Sequence, residues 1–183
     1  MTKNLNDLEK IFLKAEDIRK SGNLNEAIKL FKEILKESPN NSPTLNSIAN
    51  CYFQLNDFVN AEKFYLECLK INKNILTLNN LSLLYLKKNN FEKALPILKE
   101  SLNQQSSQEN VVEKIAYCLT ELNLNKEADI FCEKFIKIYP HNKIILSYYR
   151  RTKFNLGNHQ EGLRAYKKET GVIEMDGDKV SIE

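Results

Sequence analysis

The chain has 183 residues, of which 42% are hydrophobic and 28% are charged, and this balance excludes a disordered segment. Five glycines and four prolines are too few for a fold that is rich in β-turns, so the composition favours helices. The net charge of +3 is small and the lysines are scattered along the chain, which argues against nucleic acid as the main partner.

No targeting or membrane segment is visible in the sequence. The amino-terminal stretch MTKNLNDLEK lacks the apolar core of a secretory signal, and no run approaches the roughly 18 apolar residues of a membrane helix. We therefore expect no membrane partner. Cys51, Cys68, Cys118 and Cys132 have no CxxC spacing, which favours buried apolar thiols in a reduced, cytoplasmic setting.

One stretch, GNLNEAIKLFKEILKESPNN at residues 22–41, returns four more times in altered form. Each copy has a small residue in its second half and a glycine or asparagine five positions earlier. The small residues are Ala27, Ala61, Ala94, Ala128 and Gly162, and the turn residues are Gly22, Asn56, Asn89, Asn123 and Gly157. Both sets recur at intervals of 34, 33, 34 and 34 residues. Because Gly and Asn tolerate the left-handed conformation that ends helices, each copy is predicted to be two helices joined by a turn.

The second helix of the first copy is predicted over residues 25–37. Its apolar residues recur at i, i+3, i+4 and i+7 and form one broad stripe, part of which only the next copy can bury. The next copy opens with Ser42 as the predicted helix cap and Pro43 as the first helical residue. Pro96 lies inside a later helix, which it is expected to bend slightly.

A helix–turn–helix unit with a period of 34 residues is typical of the tetratricopeptide repeat, and the chain resembles that family over residues 8–170. The small residue at the eighth repeat position is met by Ala15, Ala49, Ser82 and Ala116, and the aromatic at the eleventh by Tyr52 and Tyr85. The resemblance implies an all-α fold, a right-handed α-solenoid of stacked antiparallel helix pairs in a tetratricopeptide-like superhelix. The predicted repeats are 8–41, 42–74, 75–108, 109–142 and 143–170, after a lead-in at 1–7 and before an acidic tail at 171–183.

The fifth repeat departs most from the family pattern. Arg150 stands where a small residue belongs, and Glu169 stands where an apolar residue belongs. Terminal repeats of a stack often carry such a polar outer face.

No constellation of residues suggests catalysis. His141 and His159 fall in predicted turns outside any metal-binding pattern, and the glycines form neither a P-loop nor a dinucleotide fingerprint. Most tyrosines and phenylalanines lie on apolar stripes, which favours core packing over the stacking of bases. We therefore predict a chain that is not an enzyme and needs no cofactor or metal.

Partner binding is expected on the first helices, which line the concave side in the family that the chain resembles. The second, fifth, sixth and ninth repeat positions are predicted to face this groove. They give the candidate set Asn46, Asn50, Asn79, Asn80, Leu83, Asn110, Lys114, Tyr117, Ser147 and Arg151. An amide both donates and accepts, so the asparagines suit the backbone of an extended peptide, with Leu83 and Tyr117 as apolar anchors. The competing interpretation is that asparagine is abundant throughout the chain, as in proteins from AT-rich genomes.

A carboxylate clamp, as in chaperone-binding members of the family, is disfavoured. Two of its lysine positions carry Asn46 and Asn110, and a neutral amide cannot supply the charge-assisted bonds that a carboxylate needs.

The predicted function is thus a non-catalytic protein–protein interaction adaptor that binds a peptide or protein segment in its concave groove. Two alternatives stay open. One is an accessory or truncated recognition module of an enzyme such as a glycosyltransferase, and the other is a scaffold with weak self-association.

Overall fold

The computed structural model describes residues 5–171, 175–176 and 179–180. Within these residues, ten α-helices follow one another along the chain. They are α1 (Leu5–Lys20), α2 (Leu24–Glu37), α3 (Ser42–Gln54), α4 (Phe58–Ile71), α5 (Ile75–Lys87), α6 (Phe91–Gln104), α7 (Glu109–Glu121), α8 (Asn125–Ile138), α9 (Lys143–Asn155) and α10 (His159–Thr170). Two short strands, β1 (Met175–Asp176) and β2 (Lys179–Val180), pair in antiparallel fashion. The remainder of the predicted tail, and residues 1–4 of the lead-in, lie outside the described residues.

The chain divides into two compact units between Asn90 and Phe91. The first unit contains α1 to α5, and in it each helix packs against the next one along the chain. The second unit contains α6 to α10, in which α6 packs against α7, α7 against α8 and α9, and α9 against α8 and α10. Each unit is therefore a stack of five helices, consistent with the predicted all-α class.

The turn inside each helix pair is set by one residue with a positive φ. Gly22 and Gly157 have φ values of 90° and 79°, and Asn56, Asn89 and Asn123 have values of 59°, 52° and 55°. Most side chains rarely adopt this left-handed conformation, which explains why only Gly and Asn occupy the position. The five turn residues predicted from the sequence period are confirmed.

Asparagines begin three of the first helices. The side chains of Asn41, Asn74 and Asn142 each accept a hydrogen bond, at 2.8–3.0 Å, from the backbone N–H three residues later. The prediction that Ser42 caps α3 is wrong, because Ser42 is already helical and the preceding Asn41 supplies the oxygen. Pro43 lies in the first turn of α3, where its missing N–H removes no helical hydrogen bond.

The small residues predicted at the helix crossings are buried. Ala27, Ala61, Ala94 and Ala128 are fully buried. In the fifth pair the equivalent residue is Gly162, and a Cβ atom there would lie only 3.1 Å from the ring of Phe154. A larger side chain at any of these buried positions would overpack its surroundings.

The two residues that break the pattern in the fifth repeat contact each other. Nε of Arg150 lies 3.2 Å from Oε2 of Glu169, and the Arg150 guanidinium lies 5.3 Å from the centre of the Tyr166 ring. An ion pair between α9 and α10 thus replaces the small and apolar residues that the earlier repeats place there.

Candidate functional site

In the first unit, three predicted groove residues on α3 and α5 share one hydrogen-bond network. Nδ2 of Asn80 donates to Oδ1 of Asn50 at 3.0 Å and to Oδ1 of Asn46 at 3.3 Å. The hydroxyl of Tyr65 also donates to Oδ1 of Asn50, at 2.6 Å, and that of Thr77 donates to Oδ1 of Asn46, at 3.1 Å. We call Asn46, Asn50 and Asn80 the amide network.

The amide network is unevenly exposed. Asn46 is only 7% exposed, whereas Asn50 and Asn80 are half-buried. Among the described residues, Nδ2 of Asn50 and Oδ1 of Asn80 have no hydrogen-bond partner. A free donor thus lies beside a free acceptor, which is the pair of groups that a peptide backbone requires. The buried Asn46 holds Asn80 in place from below.

An apolar side chain lies next to the amide network. Leu83 follows Asn80 by one turn of α5 and is 44% exposed. Asn79 is half-buried on the same helix. The exposed leucine and the two free amide groups together form a mixed polar and apolar surface of the kind that binding sites use.

In the second unit, aromatic rings occupy the corresponding first-helix face. The Tyr117 ring packs edge-on against Phe91, with ring centroids 5.2 Å apart and planes at 82°. The centroid of the Tyr148 ring on α9 lies 5.9 Å from that of Tyr117. Both tyrosines are half-buried, so part of each ring remains accessible to a partner.

The other predicted residues of this unit are partly engaged by the chain itself. Nη1 of Arg151 lies 2.8 Å from Oε1 of Glu121, and Nζ of Lys114 donates to the backbone carbonyl of Asn110 at 3.1 Å. The hydroxyl of Ser147 donates to a carbonyl of its own helix. A partner that binds these side chains would therefore share them with the internal contacts that they already make.

Sequence reasoning missed Tyr148, which lies at the sixth repeat position and so satisfied the rule used for the groove. Burial raises the pKa of the Tyr148 hydroxyl, and the neighbouring Tyr117 and Glu121 raise it further. A neutral hydroxyl on this face can donate a hydrogen bond. The period alone was sufficient to find this residue.

A buried lysine was also missed. Lys153 is 5% exposed, and its Nζ lies 2.9 Å from Oδ1 of Asp129, 2.6 Å from Oε2 of Glu161 and 4.9 Å from the centre of the Tyr149 ring. Burial alone would lower the pKa of Lys153, but its hydrogen bonds to Glu161 and Asp129 outweigh burial and raise that pKa. This cluster ties α9 to both α8 and α10.

In the first unit, the residue at the repeat position of Lys153 makes a different contact with the preceding repeat. Tyr85 lies at the eleventh repeat position, as Lys153 does, and its hydroxyl donates to Oε1 of Glu62 at 2.8 Å. Glu62 and Asp129 each directly follow the small residue of the preceding repeat. The junction at Glu62 therefore combines this neutral hydrogen bond with an ion pair, in which Nζ of Lys88 lies 3.5 Å from Oε2 of Glu62. The junction at Asp129 is a buried ion cluster.

The four cysteines are buried and unpaired, as the absence of CxxC spacing predicts. Burial raises the pKa of Cys51 to about 11 and the pKa values of Cys118 and Cys132 to about 12. These thiols therefore stay protonated near neutral pH, and they act as small apolar residues.

The described residues contain no group of three or more His, Cys, Asp and Glu side chains that could hold a metal ion. His141 is exposed in the turn before α9, and His159 is the first residue of α10 rather than a turn residue. Among the described helices, none has the length and apolar content needed to cross a membrane.

Repeated helix pairs, left-handed turns at a fixed period and small residues where the helices meet define an all-α helical-repeat protein, a class whose repeats offer extended binding surfaces. Two models of the tetratricopeptide repeat family match the sequence, one over residues 19–76 and the other over residues 75–103. Residues 19–103 therefore belong to the tetratricopeptide repeat family.

Several solved structures share the fold of this chain. A crystal structure of MamA protein is similar over 91% of this chain and 92% of its own, with a TM-score of 0.80 at 17% identity. YrrB, described as a TPR protein with an unusual peptide-binding site, covers 88% of this chain and 84% of its own, with a TM-score of 0.78 at 15% identity. MamA from Desulfovibrio magneticus RS-1 (residues 41 to the end) has a TM-score of 0.78 at 13% identity, over 93% of this chain and 96% of its own. At such identities the likeness concerns the fold alone. No curated protein sequence matches the chain.

Proposed function

We propose that the chain is a non-catalytic interaction adaptor that binds an extended segment of a partner protein on the first-helix faces of its repeats. One observation carries the proposal. In the first unit, the free donor of Asn50 and the free acceptor of Asn80 lie beside the exposed Leu83. The site thus offers groups for the backbone of a peptide and an apolar contact for one of its side chains.

The chemistry of the amides favours a peptide as the ligand. Each residue of an extended chain has one N–H and one C=O, and an adjacent acceptor and donor can bond both without regard to sequence. The peptide-binding site named in the description of YrrB shows that the fold supports such a ligand in another protein. The proposed partner is a protein rather than a nucleic acid, because the small net charge of +3 offers little attraction to phosphates. The proposed setting is cytoplasmic.

In the second unit, Tyr117 and Tyr148 are the proposed apolar contacts. Aromatic rings supply large contact areas at little entropic cost, and residues of this type often dominate the affinity of an interface. The remaining groove residues act as supports or as weaker polar contacts.

The test is an affinity capture with the triple variant Asn50→Ala, Asn80→Ala and Tyr117→Ala, followed by mass spectrometry of the bound proteins. Circular dichroism and thermal unfolding first establish that the variant is folded. We expect it to lose the partners that the unmodified chain retains.

A matched control places three alanines on exposed second-helix positions, at Lys63, Leu66 and Ile130. The control is expected to keep every partner. Retention of all partners by the folded groove variant would contradict the proposal and would place binding elsewhere on the chain.

A further inference from the structure

A hollow of about 320 Å³ lies in the second unit between α8 and α10. Its apolar lining comes from Ile136, Leu146 and Tyr149, with Ala165 at the side of α10. None of these residues belongs to the predicted groove set. The hollow therefore shares no residue with the predicted groove set, although Leu146 and Tyr149 belong to α9.

The other repeats show why the hollow exists. The residue three positions after the small residue of each repeat is Leu30, Phe64, Ile97, Phe131 and finally Ala165. The first four are large, half-buried apolar side chains, and three of them pack on the hydrophobic cores. In the fifth repeat, alanine leaves the corresponding space unfilled. The chain itself thus shows which kind of side chain fits there.

Positive charge lies at the rim of the hollow. Arg164 and Lys168 both line it, and a spacing of four residues places them on the same side of α10. Both are exposed, and neither makes a hydrogen bond or ion pair with the described residues. The third charged residue of the rim, Glu161, is already bonded to the buried Lys153 at 2.6 Å. Glu161 also attracts the Arg164 charge, so the two cations together leave the rim with an excess of positive charge.

We infer that this hollow is a second docking site, which takes one leucine or phenylalanine side chain from an acidic segment of a partner protein. The apolar side chain fills the space that Leu30, Phe64 and Phe131 fill in their own repeats. The neighbouring carboxylates of the same segment pair with Arg164 and Lys168. An apolar anchor flanked by acidic residues satisfies both features of the hollow at once.

The probe is a short fluorescein-labelled peptide with one central phenylalanine between pairs of glutamates, titrated with the full chain by fluorescence polarisation. We expect saturable binding that weakens as salt is added, because exposed charges are screened over roughly 10 Å at 0.1 M. A second peptide with alanine in place of phenylalanine should bind about tenfold or more weakly, because it loses the burial of the apolar ring.

Two variants of the chain test the site itself. Ala165→Leu fills the hollow with the residue of the first repeat and should weaken the probe by about tenfold or more. The double variant Arg164→Gln and Lys168→Gln should weaken it at low salt and remove most of its salt dependence. Lys63→Gln is the matched control, because Lys63 holds the same repeat position as Arg164 beside the large Phe64.

The inference is wrong if the probe does not bind the unmodified chain, or if Ala165→Leu binds it equally well. If Ala165→Leu does not fold, the double glutamine variant decides, and unchanged affinity at low salt would overturn the inference. The groove variant Tyr117→Ala should bind the probe normally. Loss of binding there would place the probe on the first-helix face and would also overturn the second site.

Discussion

The first-helix faces of the two units use the same repeat positions for different chemistry. In the first unit, Asn50 and Asn80 bond to each other and still offer one free donor and one free acceptor. In the second unit, Tyr117 and Tyr148 lie in contact, and Arg151 pairs with Glu121. The repeat therefore determines which positions face a partner, but it does not determine the chemical groups at those positions. The first face suits a backbone, and the second suits side chains.

The contacts between neighbouring repeats also differ between the two units. Tyr85 donates one neutral hydrogen bond to Glu62, whereas Lys153 is buried between two carboxylates. An ion cluster depends strongly on every partner being present, because a charge left alone in a buried site is costly. Changes at Lys153 should therefore affect the fold more than changes at Tyr85.

The largest expected effect follows from Lys153→Met. It leaves Asp129 without its cation, and we expect a loss of about 3 kcal/mol in the free energy of unfolding, measured by urea titration. The matched variant Tyr85→Phe removes a neutral donor and should cost about 1 kcal/mol. Equal losses at the two positions would show that the two junctions are not different in kind.

The same cluster predicts a dependence on pH. Because the pKa of Lys153 is raised in the folded state, its contribution is fully present below the unfolded-state pKa of about 10.4 and is lost as pH rises through the folded-state value. The stability difference between the unmodified chain and Lys153→Met should therefore shrink in strongly alkaline solution. A difference that stayed constant there would contradict the assigned ion cluster.

Tyr117→Ala addresses the second face. If the ring is an anchor, binding of a captured partner should weaken by about 2 kcal/mol or more, measured by isothermal titration. Tyr117→Phe keeps the edge-on contact with Phe91 and should retain most of the affinity. A partner that binds all three chains equally would remove Tyr117 from the proposed site.

Asn46→Ala distinguishes a supporting amide from a binding amide. Asn46 is buried and accepts from Thr77 and Asn80, so its loss should lower the free energy of unfolding by about 2 kcal/mol. The exposed Asn110 on α7 is the control, and its alanine variant should change stability by about 0.5 kcal/mol or less. Similar stabilities for the two variants would mean that the hydrogen bonds of Asn46 contribute little to the stability of the fold.

The smallest expected effect is that of Arg151→Ala. Its guanidinium is exposed and already shared with Glu121, and such pairs are worth about 0.2–1 kcal/mol. Partner binding should weaken by a similar amount, and only at low salt. A loss of tenfold or more at physiological salt would show that Arg151 is a direct contact rather than a shared one.

The sequence predicted the repeating frame because backbone geometry leaves few choices there. A glycine or asparagine every 34 or 33 residues identified the turns, and small residues identified the helix crossings. The final repeat was harder, since Arg150 and Glu169 each looked unsuitable alone. Their pairing depends on the packing of α9 on α10, which the period does not describe.

The asparagines show the limit of reading roles from residue types. Asn41, Asn74 and Asn142 cap helices, Asn56 sits in a turn, and Asn46 is buried. The same amide serves each role, so only the hydrogen-bond partners separate them. Lys153 was missed for a related reason, because a lysine in an apolar position is stabilised by carboxylates on two other helices.

The central claim is that partners bind on the first-helix faces. Leu83 on α5 and Leu66 on α4 are similarly exposed, at 44% and 41%, but they lie on first and second helices. A photo-activated cross-linking amino acid placed at either position, in otherwise identical chains, reports which helix touches a bound partner. We expect cross-linked product from position 83 and little or none from position 66. Efficient cross-linking from position 66 alone would contradict the account directly.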